Sequence, residues 1–353
     1  FCILLTHADQ DAALELAQAM RDKVQALRYL EGDRSLQITA SIGIAEFATR
    51  RGDVGRALTT ARMACEAAKD HGRDRIEVFD DENLSIIRRH DDMQLVARIQ
   101  QALDEDLFEL LAQPIVSLRD DDSPPQFEVL LRMKDGDGQE VPSGALFSAA
   151  ERYKLMPQVD RWVTSTTLAR LAEHRDAIGS GRVQFSINLS GQSLSDDEIL
   201  EFIDGEMQDN EVPATALCFE VTESAAVSNL AKAQALISEL RKRGCRISLD
   251  DFGAGLSSFA YLKNFNVDAL KIDGSFIRDI TDNRISESMV AAITQVAKVM
   301  ELKTVAEYVE TEATRQLIAE LGVDFAQGHA VGKPLPLAET LATLSGSARS
   351  STG

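Results

Sequence analysis

Residues 245–273 read CRISLDDFGAGLSSFAYLKNFNVDALKID, and this stretch decides the fold. It contains two short β-rich runs, 245–250 and 267–272. The first ends on the acid pair Asp250-Asp251. The second carries Lys271 and is followed by Asp273. A charge inside an apolar strand is costly unless it is paired or holds a metal. Two strands that both end on charges therefore place chemistry at one edge of a sheet.

Outward from this stretch the rhythm repeats. β-rich runs at 109–118, 126–133, 183–189, 216–222, 302–306 and 323–327 alternate with amphipathic helical stretches such as Asp160–Arg175, Ala225–Arg243 and Ile285–Met300. Eight strands with helical crossovers predict an α/β fold, a (β/α)8 TIM-like barrel, with a doubly wound open sheet as the competitor. No helix fits between 118 and 126. The first two strands should therefore pair antiparallel and make the barrel irregular.

Polar groups recur at the strand ends. Asn188, Glu220 with Glu223, Asp250 with Asp251, Lys271 with Asp273, Glu307 and Gln327 close six successive runs, where barrel enzymes place their chemistry. Glu128 joins them from the second strand, where alternation sets it on one face with Leu130 and Arg132. A salt bridge or a helix cap would explain any one of these residues, but not six strands in step. Glu128, Asn188, Glu220, Asp250, Asp251 and Glu307 supply carboxylates and one amide, with Lys271 the lone cation among them. Such a set needs bound cations, and all-oxygen ligation points to Mg2+ or Mn2+.

Composition narrows the classes. The chain has 353 residues, is 44% hydrophobic and 27% charged, and carries a net charge of −20. It can bury a sizeable core. No stretch reaches the roughly 18 apolar residues of a membrane span, and no signal-peptide pattern opens it. The negative charge argues against a nucleic-acid polymer as partner. Four cysteines form no CxxC pair and five histidines form no HExxH, so buried thiols are expected and a zinc site is not.

Residues 1–79 carry a separate pattern. Phe1–Leu5 reads as the tail of a strand, Asp11–Leu27 and Val54–Lys69 as helices, and Ile38–Phe47 and Arg75–Phe79 as strands, with a turn at His71-Gly72. The charged stretch 80–106 keeps Met93, Val96, Ile99 and Leu103 at helical spacing and reads as a helical linker. The barrel is expected over 107–345 and a flexible tail over 346–353.

Ordered motifs run through the barrel region. They are Gln113-Pro114, Glu128-Val129-Leu130-Leu131-Arg132, Asn188-Leu189-Ser190 and Glu220-Val221-Thr222-Glu223-Ser224. Asp250-Asp251-Phe252-Gly253, Leu270-Lys271-Ile272-Asp273, Ala306-Glu307 with Glu310, and Gln327-Gly328 before Gly332-Lys333-Pro334 follow. Together they resemble the EAL phosphodiesterase family over about residues 93–345. The front segment resembles the second half of a GGDEF diguanylate-cyclase domain, through Phe1, Thr39-Ala40-Ser41-Ile42-Gly43-Ile44, Ala68-Lys69 and Gly72-Arg73. The first half of that domain, with its metal acids, is not in this sequence, so no cyclase activity is expected of it. Val129 stands for the signature Ala, Ala254 and Leu256 for Thr and Tyr, Phe265-Asn266 for Leu-Pro, and Tyr308 for a Gly.

The EAL resemblance implies hydrolysis of cyclic-di-GMP (c-di-GMP) to linear pGpG in bacterial second-messenger signalling. It implies one Mg2+ or Mn2+ ion on Glu128, Asn188, Glu220 and Asp250, and a second, bridged by Asp250, on Asp251 and Glu307. Lys271 would orient the attacking water, acting with Glu128 and Glu307 as the catalytic set. Gln113, Arg132, Asp273, Gln327 and Pro334 are candidates for substrate contact, Arg132 suiting either a phosphate or a salt bridge to Glu128. Glu223 and Glu310 would support the site, Glu223 by bracing the 252–258 loop. A homodimer through the barrel and a cytoplasmic location, tethered through N-terminal sensory domains outside this sequence, complete the expectation. The rival reading is a catalytically silent c-di-GMP receptor on the same barrel.

Overall fold

Short runs of alternating or continuous apolar residues pair into sheets because each leaves a row of backbone groups to be satisfied by a neighbour. The computed structural model describes residues 2–350 apart from 7, 27, 32–33, 38, 47–53, 71–73, 80, 106, 120–122, 135–137, 180–182 and 254–258. Phe1, the turn at His71-Gly72, Arg73, and Ala254 and Leu256 of the 252–258 loop lie outside the described residues. The chain divides into two compact units, Phe1–Gln94 and Leu95–Gly353.

In the first unit, β1 (Arg28–Glu31) and β2 (Arg34–Gln37) form an antiparallel hairpin, while β3 (Ile42–Ile44) and β4 (Ile76–Val78) pair in parallel. Helices Gln10–Ala26 and Val54–Asp70 complete the described elements up to β4. The second helix lies hard against β3 at Gly43, where a Cβ would fall 2.1 Å from the Cys65 nitrogen. No side chain fits there. The strand expected at residues 1–5 is not formed over Cys2–Leu5, where Ile3 and Leu4 are exposed and no described strand pairs with them. The strand expected over 38–47 shortens to the three residues that face β4. The hairpin was not expected; Gly32-Asp33 between two short polar runs was its only sequence signal.

The second unit is the expected barrel. Its strands are β5 (Phe108–Ser117), β6 (Gln126–Met133), β7 (Gln184–Asn188), β8 (Leu217–Thr222), β9 (Arg246–Phe252), β10 (Ala269–Ile272), β11 (Lys303–Ala306) and β12 (Phe325–Gln327). They neighbour one another in sequence order, and β12 pairs back onto β5 to close the ring. Strands β6 to β12 run parallel. β5 is antiparallel to both of its neighbours, β6 and β12, as its short connection to β6 requires. β13 (Leu335–Pro336) pairs with β5 at Leu111 and Ala112, beyond the reach of β12.

Helices such as Met156–Ala172, Ile199–Asp209, Leu230–Lys242 and Arg284–Val299 turn their apolar faces to the sheet and build one large buried cluster. Ile115, Val305 and Phe325 form a separate small cluster. Each lies two residues from Gln113, Glu307 and Gln327 respectively, so this cluster makes an apolar floor beneath one side of the polar mouth. The last helix runs Leu337–Ser350, so the tail expected from 346 begins as helix. Among the described residues no helix is long and apolar enough to cross a membrane.

Candidate active site

Parallel strands in a barrel present their C-terminal ends to one mouth, and the inward side chains there converge. Lys271, on β10, sits at the centre of that convergence and is 1% exposed. Its Nζ lies 2.9 Å from Glu128 Oε2, 2.6 Å from Glu220 Oε2, 2.8 Å from Glu307 Oε1 and 3.3 Å from Asp250 Oδ1. Carboxylates from β6, β8, β9 and the residue after β11 thus meet one ammonium. Glu128 is held further by amides: Asn188 Nδ2 donates to Oε1 at 2.7 Å and Gln327 Nε2 donates to Oε2 at 2.7 Å. Gln327 also reaches Gln113 Oε1 at 3.2 Å, and Gln113 donates to the Gly332 carbonyl.

The acid pair at the end of β9 depends on a local irregularity. Strict alternation would send Asp250 and Asp251 to opposite faces. The register between β9 and β10 shifts here: Leu249 pairs with Leu270, but Phe252 pairs with Ile272. One extra residue is accommodated as a bulge, with Asp251 at φ 52°. Aspartate tolerates that left-handed conformation better than most residues. The result is that Asp250, Asp251 and Glu307 each offer an oxygen within 4.8 Å of the others.

Electrostatics follow from burial and crowding. Burial, then the Glu128 and Asp250 charges, push Glu220 up to about 8 against the pull of Lys271. Glu307 is likewise pushed up to about 8, chiefly by burial and then by Asp250 and Glu128, again against Lys271. Asp251 rises to about 6 through burial, then Asp250 and Asp273. Burial also acts to raise Glu128, but Lys271 and the two amides outweigh it and hold that carboxyl below its usual range. For Lys271, burial favours the neutral amine. Four surrounding carboxylates overcome it and lift the ammonium well above the ordinary lysine range. Part of the repulsion expected of this set is therefore met inside the protein by the Lys271 ammonium, and the raised Glu220 and Glu307 carry the rest.

The remaining candidates occupy varied places. Arg132 does not pair with Glu128, from which two strand steps separate it; its Nε pairs instead with Glu140 at 2.8 Å. Glu223 Oε2 accepts from the Gly253 N–H at 3.1 Å, just before the undescribed 254–258 segment. Asp273 caps the short helix Gly274–Ile277 by accepting from Ser275 N at 2.8 Å. Pro334 is half-buried, and Glu310 is exposed.

Divalent cations fit this donor set. Asp250 Oδ1 is buried without a hydrogen-bond donor in proper geometry, although Nζ lies 3.3 Å away. Its only positive neighbour among the described residues is thus an ammonium out of hydrogen-bond geometry, which leaves it lone pairs for a further cation. The neighbouring Asp251 and Glu307 oxygens complete an all-oxygen group of the kind hard divalent ions prefer.

A closed α/β barrel with its acids gathered at the C-terminal mouth defines a barrel protein with a candidate oxygen-donor cation site. The chain belongs to the EAL-domain family, whose model matches residues 96–334. The model for the diguanylate cyclase GGDEF domain matches residues 1–75. The chain is 33% identical over 329 residues to the cyclic di-GMP phosphodiesterase PdeB of Shewanella oneidensis, covering 92% of this chain and 38% of that protein. It is 40% identical over 251 residues to the cyclic di-GMP phosphodiesterase PdeF of Escherichia coli, covering 71% and 33% respectively. The chain thus spans between a third and two fifths of these curated relatives. Among solved structures, it is similar to the PaMucR phosphodiesterase in complex with c-di-GMP, with a TM-score of 0.65 and 29% identity over 70% of this chain and 99% of that one.

Proposed function

We propose that this chain hydrolyses one phosphodiester of c-di-GMP, giving linear pGpG, with two Mg2+ or Mn2+ ions at the barrel mouth. The observation that carries the reading is the gathering of four carboxylates on Lys271, with Asp251 beside two of them, in a chain of the EAL family whose relatives include named c-di-GMP phosphodiesterases. Glu128, Asn188, Glu220 and Asp250 would hold one ion, and Asp250, Asp251 and Glu307 the other. When bound, such a pair supplies Lewis-acid stabilisation of charge on the phosphate and lowers the pKa of a nearby water.

The protein's own groups do the rest. The ammonium of Lys271 stays protonated at neutral pH, since four carboxylates face it. It therefore serves as a donor, orienting a water or a phosphate oxygen, and not as a base. Gln327 and Asn188 fix the rotamer of Glu128 by donating to its two oxygens. Gln113 and Gln327 offer amides to the substrate, and Arg132 reaches a phosphate only by exchanging its exposed Glu140 partner for it. Glu223 braces the start of the 252–258 loop. A homodimer through the barrel and a cytoplasmic setting belong to the same proposal.

Chromatography of c-di-GMP incubated with the protein and Mn2+ tests it. Conversion to pGpG is expected, and Glu128→Ala should abolish it. Intact c-di-GMP under both Mg2+ and Mn2+, with tight binding, would replace hydrolysis by the receptor reading.

A further inference from the structure

Asp160 is a buried acid for which the proposed reaction has no use. It lies on the helix Met156–Ala172, on the face that carries Met156, Val159 and Val163, and is 4% exposed. A carboxylate in that stripe is costly unless donors satisfy it. Its Oδ2 accepts from the Ser190 backbone N–H at 2.8 Å and from Ser193 Oγ at 2.6 Å. These are the lengths of charge-assisted hydrogen bonds. Burial pushes the carboxyl above its usual range, and the Ser190 and Ser193 bonds act the other way.

Those two serines belong to the turn that leaves β7. Asn188, the last residue of β7, donates to Glu128, and Ser190 follows two positions later. Between them Leu189 N donates to the Glu220 carbonyl at 2.8 Å, extending the ladder to β8. Ser193 N returns to Ser190 Oγ at 3.2 Å and Leu194 N to the Ser190 carbonyl at 3.1 Å, closing the turn on itself. The backbone leaving Asn188 is thus pinned from one side by β8 and from the other by a helix. Without the helix-side pin at Ser190, the residue after Asn188 would be held by the ladder bond at Leu189, the turn's next anchors lying further on, at Gln192, which donates to the Glu151 carbonyl, and at Ser195, whose carbonyl accepts from Lys232.

We propose that Asp160 is a positioning residue: by holding Ser190 and Ser193 it fixes the direction in which Asn188 presents its amide to the cation site. The inference rests on the cation reading given under the proposed function. Because both bonds go to one oxygen, an asparagine can keep them, whereas an alanine loses both. Groups that orient a metal ligand are worth about 10–100-fold in affinity.

The test measures Mn2+ affinity by calorimetry, and melting in chelator, for wild type, Asp160→Asn, Asp160→Ala, Asn188→Ala and the Asp160→Ala/Asn188→Ala double variant. Asp160→Ala should weaken Mn2+ roughly tenfold, and Asp160→Asn should stay within about threefold of wild type. In the Asn188→Ala background, Asp160→Ala should add less than about twofold, since its effect runs through the missing amide. Equal losses with and without Asn188, or no loss in folded Asp160→Ala, would overturn the proposal. Should Asp160→Ala not fold, Ser193→Ala cuts one of the two bonds: a weakening of about threefold supports the link, and none refutes it. A wild-type chain that takes up no Mn2+ refutes the cation reading instead. The chelator melts then decide for Asp160, non-additive losses for Asp160→Ala and Asn188→Ala supporting it and additive losses overturning it.

Discussion

Replacing Lys271 with methionine keeps most of its volume and removes its charge, leaving Glu128, Glu220, Asp250 and Glu307 without the ammonium they surround. Removing one partner from a buried ionic cluster costs about 3–5 kcal/mol. In a unit of this size each kcal/mol moves the melting temperature by about 2–4 °C, so a fall of roughly 6–20 °C is expected in chelator. Protons can take over part of the ammonium's work. Glu220 and Glu307 already titrate at about 8, far above their values in an unfolded chain, so the folded state binds more protons than the unfolded state between about pH 5 and 8. Stability must then fall as pH rises through that window. With Lys271 gone the need for protons grows, so the variant should lose more at pH 8 than at pH 6. Thermal melts of both proteins by circular dichroism, in chelator at the two pH values, provide the measurement. A variant within about 2 °C of wild type at pH 8, or a larger loss at pH 6, would refute the view that Lys271 neutralises this cluster.

Millimolar Mn2+ should raise the melting temperature of wild type, since a ligand at a hundredfold excess over its Kd adds about 2.7 kcal/mol. Asp250→Asn should erase most of that rise while leaving the chelator-treated protein as stable or more stable, and an unchanged metal shift in the variant would exclude Asp250 as a ligand. Gly328→Ala should destabilise by about 3 kcal/mol, because φ is 151° there and a Cβ would stand 2.3 Å from the Val309 carbonyl oxygen. A denaturant midpoint equal to that of wild type would contradict this. The displaced Val309 and Gln327 backbones flank the site, so weaker Mn2+ binding should accompany the loss.

The barrel was legible because each strand run carries its own apolar pattern: the run expected at 109–118 becomes Phe108–Ser117, and that at 126–133 is Gln126–Met133. The antiparallel first pair followed from connection length alone. Convergence of Glu128, Glu220, Asp250 and Glu307 on Lys271 was also foreseeable, since all sit at strand ends that a barrel brings to one mouth. What could not be read was register. The shift that turns Asp251 toward Asp250 is a backbone event, and its only sequence signal is two adjacent acids at the end of an apolar strand. The pairing of Arg132 with Glu140 and not with Glu128 was hidden for a related reason: strand alternation gives its face but not its height above Glu128. Asp160 did leave a signal, an acid at position i+4 in the apolar stripe begun by Met156, which a helix expected to start at residue 160 conceals.

The reversed direction of β5 has a consequence for how the barrel is wired. In an all-parallel barrel the first strand begins at the end remote from the mouth, so whatever is attached upstream docks far from the chemistry. Here Phe108, the first residue of β5, pairs with Met133, the last residue of β6, while Ser117 lies at the opposite end beside Phe325. The polypeptide is threaded in at the rim that carries the acids. Leu107, the residue before β5, is therefore next to the rung of the ladder that crowns β6. A shift of Leu107 would reach the rim without first crossing the body of the barrel.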